Sequence, residues 1–133
     1  MATLNAGQFY ETILTAASEI TANNPIQVMQ YSNGQSYDSA NADPFDITIA
    51  PYAQFLNSYT VTTEPDGADP AITSNYINVV APTSEVGNVT LDAAVIASSD
   101  FTAIGGTGFS GAQVPVPFGS HVLNGPLPFG VTV

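Results

Sequence analysis

"GSHVLNGPLPFGV" (residues 119–131) sets Gly119, Gly125, Gly130, Pro126 and Pro128 around two short runs of alternating residues, SHVLN (120–124) and the closing FGVTV (129–133). Alternation with period two puts successive side chains on opposite faces of a strand, while glycine and proline interrupt ladder pairing. The stretch therefore reads as two short strands separated by turns. It also holds His121, the one histidine of a chain without Lys, Arg, Cys or Trp.

Working outward, the same pattern recurs at short intervals. Further strands are expected at GQFYETIL (7–14), PIQVMQYS (25–32), FDITIA (45–50), QFLNSYTVTT (54–63), SNYINVVAP (74–82), GNVTLD (87–92), AVIA (94–97), FTAI (101–104) and AQVPV (112–116). Each is rich in β-branched or aromatic residues and is bounded by Gly, Pro, Asn or Asp. Such spacing predicts an all-β fold: a jelly-roll-like antiparallel β-sandwich of roughly eight to eleven short strands in one domain spanning residues 1–133. Residues 10–20, YETILTAASEI, carry helix-compatible Ala and Glu, but the β-branched Thr12, Ile13 and Thr15 favour a strand. Pro115 and Pro117 in VPVPFG permit only an edge strand or an extended polyproline-like path. The chain ends at Val133 inside an apolar β pattern, so the last strand is expected to be available for pairing.

Composition excludes several function classes. The 133 residues carry a formal charge of −11 with no positive side chain, so nothing can contact phosphates, and nucleic-acid binding is excluded. The same charge opposes docking on anionic lipid, and no apolar run approaches the ~20 residues that span a bilayer, so no membrane insertion is expected. Ion pairs are confined to the amino terminus or a protonated His121, and the fold must rest on apolar burial and backbone hydrogen bonding. Schiff-base, P-loop and Lys–Asn cross-link chemistry all require an absent amine. The opening MATLNA has neither a basic nor an apolar signal region, so no signal peptide is expected there.

No catalytic residue is assigned. His121 has neither a second histidine nor a cysteine to work with, and GFSG (108–111) lacks the spacing of a nucleophile elbow, so a structural role at a strand end is expected. A carboxylate-only glycosidase would need a pair of acids that nothing in the sequence brings together. The acidic side chains cluster in YDSANADPFD, with Asp38, Asp43 and Asp46, and in EPDGAD, with Glu64, Asp66 and Asp69. Calcium is the physically sensible guest for such oxygen-rich loops, although neither matches the helix-loop-helix calcium pattern; solvated turn carboxylates are the default reading. No cofactor is required. GGTGFSG (105–111) reads as a β-turn loop, and Asn88 in NVT (88–90) is a formal N-glycosylation acceptor inside an expected strand. Tyr31, Tyr37, Tyr52 and Tyr59 read as core-capping rings with their hydroxyls in water, or as contact surface.

The ordered set LNAGQFYE, PIQVMQYSNG, DPF, PYAQFLNSYTVTT, YINVVAP, VTLDA, FTAIGGTGFSGAQVPV, GSHVLNG and PFGV resembles the carboxy-terminal half of the IgGFc-binding protein amino-terminal domain family, from Leu4 to Val131. The family pattern often has Gly where this chain has Ala93, and it continues past PFGV into an aromatic, Gly-rich segment. The resemblance implies an extracellular, cell-surface or secreted, non-enzymatic module for binding or adhesion, with a protein or glycan ligand on a surface as partner. The alternative from another class is a structural subunit that pairs strands with copies of itself in an extracellular fibre or layer.

Overall fold

A computed structural model describes residues 1–38, 45–63 and 74–133, without the side chains of Gln35 and Asp38. The fold is all-β and antiparallel, as expected. Its described strands are β1 (Met29–Tyr31), β2 (Asp46–Thr48), β3 (Leu56–Thr62), β4 (Asn75–Pro82), β5 (Thr90–Leu91), β6 (Ala94–Val95), β7 (Thr102–Ala103), β8 (Phe109–Val116) and β9 (Ser120–Thr132). A single helical turn, α1 (Gln35–Asp38), is the only α-helix among the described residues.

The opening stretch is where the structure departs furthest from expectation. Residues 120–124 and 129–132 form not two strands but the two arms of β9, the longest strand described. Its first arm runs between β3 and β5: Leu123 faces Tyr59 on one side and Leu91 on the other. Its second arm runs beside β4, with Gly130 opposite Val80 and Thr132 opposite Asn78. The residues between, Gly125–Pro128, have no ladder partner, and on β3 the step from Leu56 to Ser58 faces the step from Phe129 to Asn124. Two prolines without N–H groups are tolerated because they occupy the bulge, where no ladder bond is required. The bend carries β9 from one leaf of the sheet to the other, giving the order β6-β5-β9-β4-β8-β7 with β3 also on β9. The sheet thereby curls into a half-barrel whose leaves share one strand.

Hydrophobic patterning explains the rest. In β4, NYINVVAP, alternate residues Ile77, Val79 and Ala81 are buried, and Val89, Ile96, Val116, Leu123 and Phe129 complete the core. Tyr59 packs edge-on against Phe129 with centroids 5.1 Å apart, and its hydroxyl donates to the Phe129 carbonyl at 2.6 Å while accepting from the Leu56 amide. This hydroxyl is held by the bulge, not by water. Two glycines at the bend leave room for aromatic rings. A Cβ on Gly125 would stand 3.0 Å from the Phe129 ring, and one on Gly130 would overlap Phe55 at 2.4 Å.

Other expectations are corrected or sharpened. Residues 7–14 form no strand: residues 1–27 are exposed throughout, with Phe9, Tyr10, Ile13 and Leu14 unburied. A strand pattern without an apolar surface to cover remains extended chain. The segment 25–32 contributes only β1, which pairs β2 in a separate two-stranded sheet. Pro115 lies in β8 opposite Tyr76, beyond the Gly111 limit of β7, so among the described residues its outer side is an edge, as its chemistry demands. Asn88 is exposed in the turn before β5, not inside a strand. In the last strand Gly130–Thr132 pair β4 on one side, and among the described residues no strand pairs them on the other side beyond Phe129.

Candidate functional site

The carboxylates read as calcium ligands fall largely outside the described residues. Asp43, Glu64, Asp66 and Asp69 lie there; Asp38 ends α1 with its side chain outside them. Asp46 is exposed at the start of β2, opposite Tyr31. Among the described residues no group of three or more His, Asp or Glu side chains is placed to hold a metal.

Of the tyrosines singled out, Tyr31, Tyr37 and Tyr52 are exposed and Tyr59 is half-buried in the bulge. Hydrogen bonding with Glu11 holds the Tyr31 hydroxyl above its ordinary pKa. Tyr52 and Phe55 both approach Phe109, with ring centroids 6.3 Å away in each pair, and leave one face of Tyr52 in solvent.

The most organised polar cluster surrounds His121. On β9 it has the inward parity of Leu123, so it is buried at the end of the core, only 3% exposed, and does not merely decorate a strand end. Its Nδ1 is 2.7 Å from Asp92 Oδ2 and its Nε2 is 2.9 Å from the Pro117 carbonyl. Asp92 is set by the β5–β6 hairpin, whose two turn residues Asp92 and Ala93 have φ of 49° and 66°. These are the left-handed values that a two-residue hairpin of primed type requires. Asp92 then continues the ladder by itself: its amide donates to the Val122 carbonyl and its Oδ1 accepts from the Val122 amide at 2.9 Å. On the other flank Thr63, also buried, shares its hydroxyl with the Pro117 and Gly119 carbonyls and accepts from the Gly119 amide at 2.9 Å.

Electrostatics follow from that geometry. The hydrogen bond to Asp92, then the Pro117 carbonyl, hold the His121 pKa above its ordinary value against the opposing effect of burial. The hydrogen bonds from His121 and from the Val122 amide hold the Asp92 carboxyl below its ordinary value. The pair is a structural clip. It has no hydroxyl nucleophile in its hydrogen bonding, since the two ring nitrogens face a carboxylate and a carbonyl. Sequence reasoning limited the available cations to His121 and the amino terminus; what it lacked was Asp92, whose place is fixed only by hairpin register.

Compared with known proteins, the chain matches the family model described as IgGFc binding protein over residues 1–133. No curated protein and no solved structure matches it.

Proposed function

The chain belongs to the IgGFc-binding protein family, and from that membership we propose that it is a non-enzymatic module that recognises a protein on an extracellular surface. The match across residues 1–133 is the observation that carries this reading; proteins of the family are typically extracellular. No described helix is long and apolar enough to cross a membrane. The inward residues of the curled sheet are committed to packing, so recognition falls to outward side chains, among which are the exposed aromatics Tyr31, Tyr37, Tyr52 and Phe118. A surface with net charge −11 and no Lys or Arg selects a neutral or basic partner face and rejects acidic ones. The test is biolayer interferometry of the immobilised chain against antibody Fc and a panel of basic and acidic surface proteins. Binding to Fc or to a basic member, weakening as salt rises, is expected; no binding to any protein at low salt overturns the reading.

A second reading, self-assembly by strand addition, is favoured by β3. Among the described residues β3 pairs only with β9, and its sequence LNSYTVT has none of the charges, prolines or glycines that blunt exposed edges. The exposed arm QFYETILT (8–15) carries the aromatic and β-branched residues that suit a donor strand. Light scattering and electron microscopy across salt concentrations decide this reading: ordered filaments carry it, and monodisperse particles throughout sink it.

A further inference from the structure

The His121 site faces an acceptor at each ring nitrogen. A carboxylate oxygen and a peptide carbonyl can only accept, so both contacts are hydrogen bonds only when Nδ1 and Nε2 both bear protons. A neutral imidazole has one N–H. Its proton stays with the charged, half-exposed acceptor Asp92, and Nε2 of the buried ring then turns a lone pair towards the Pro117 carbonyl.

The contacts join parts of the chain that are distant in sequence. Asp92 belongs to the β5–β6 turn, Pro117 to the β8–β9 turn that exposes Phe118, and Thr63, on the same Pro117 carbonyl, ends β3. Val61 of β3 stands opposite His121 and is apolar. Asp92 is thus the one charged group among the described residues that meets the ring, from the β5–β6 turn, while β3 and the β8–β9 turn offer neutral groups. Glu64, Asp66 and Asp69 follow Thr63 in sequence, outside the described residues.

We propose that doubly protonated His121 is a pH-operated clamp joining the β5–β6 and β8–β9 turns, and that its deprotonation releases the β8–β9 turn at Pro117 while Asp92 stays held. The clamp does not depend on which ligand the module takes. Its direction is opposite to that of a buried neutral histidine: acid closes it and base opens it.

Because His121 is the sole histidine, its ring nitrogens can be followed without assignment ambiguity by nitrogen-15 NMR of the full chain. At pH 6.5, its ordinary midpoint, the expected ring is predominantly imidazolium, and it titrates at higher pH. The amide resonances of Gly119 and Thr63 should move with the same midpoint, those of Ala93 and Val122 less. Asp92→Asn replaces the carboxylate by an amide that can donate to Nδ1, so the ring should favour the neutral Nε2–H form and its midpoint should fall below that of the unaltered chain. Three results overturn the clamp: a wild-type ring mostly neutral at pH 6.5, a titration that leaves the Gly119 and Thr63 amides still, or an unchanged midpoint in Asp92→Asn. The wild-type titration decides alone if that variant does not fold.

Discussion

At the scale of single residues, Ala93 and His121 show two ways a position can be constrained. Ala93 holds φ of 66°, a region its Cβ makes costly and glycine enters freely. Ala93→Gly should therefore raise stability, by about 1 kcal/mol less whatever glycine gives back in unfolded-chain entropy, read as a higher denaturant midpoint with an unchanged slope. A midpoint that falls would mean that the turn does not carry this strain. His121 is constrained by protonation. Its raised pKa means that its stabilisation is complete below the unfolded value of 6.5 and disappears as pH rises through the higher folded value. The lowered pKa of Asp92 means that its stabilisation is present above the unfolded value of 3.8 and is lost as pH falls through the lower folded value. The pair contributes fully between those two values, so thermal melts should show a loss of stability on the alkaline side that Asp92→Asn removes. Identical alkaline profiles for the two proteins would separate the loss from this pair.

Among the elements, β9 decides the architecture, and its bend depends on what is missing from side chains. Gly130 leaves room for Phe55, and the unpaired Gly125–Pro128 segment lets Leu123 and Phe129 both face the core from different leaves. Gly130→Ala should force the Phe55 ring aside and cost about 1–3 kcal/mol. Because the obstructing atoms belong to one half-buried side chain, the cost should shrink in the Phe55→Ala background. Additive effects in that double-mutant cycle would show that the ring is not the obstacle. β3 presents the opposite case: its sequence was legible as a strand, but its position at an edge follows from the pairing of β9 with β5 on the other side.

For the whole molecule, charge is the dominant long-range term. With no Lys or Arg and a net charge of −11, side-chain electrostatics beyond the His121–Asp92 pair is repulsive. Added salt should therefore stabilise the fold: raising sodium chloride from ~0.01 M to ~0.15 M shortens the screening length from ~30 Å to ~8 Å and should raise the melting temperature. A falling melting temperature over that range would place the weight on the single ion pair instead. The described core is drawn from Ile77 to Phe129, and the arm of residues 1–27 adds nothing to it. An arm whose exposed large apolar side chains include Phe9, Tyr10, Ile13, Leu14, Ile20 and Ile26 has much to gain from a partner.

The sequence by itself determined the all-β class, most strand positions between residues 45 and 133, and the restriction of side-chain cations to His121. Those follow from period-two patterning, turn residues and composition, which act locally or sum over the chain. Three things were decided only by tertiary structure. The split stretch 119–131 became one bent strand because a bulge in β9, facing the single step from Leu56 to Ser58 of β3, holds its prolines where no ladder bond is needed. Residues 7–14, with a strand's pattern, remained unpaired because no described strand lies beside them. His121, which lacked any visible partner, acquired Asp92 and Pro117 through the register of two hairpins, and register is a relation between distant strands that no local pattern encodes.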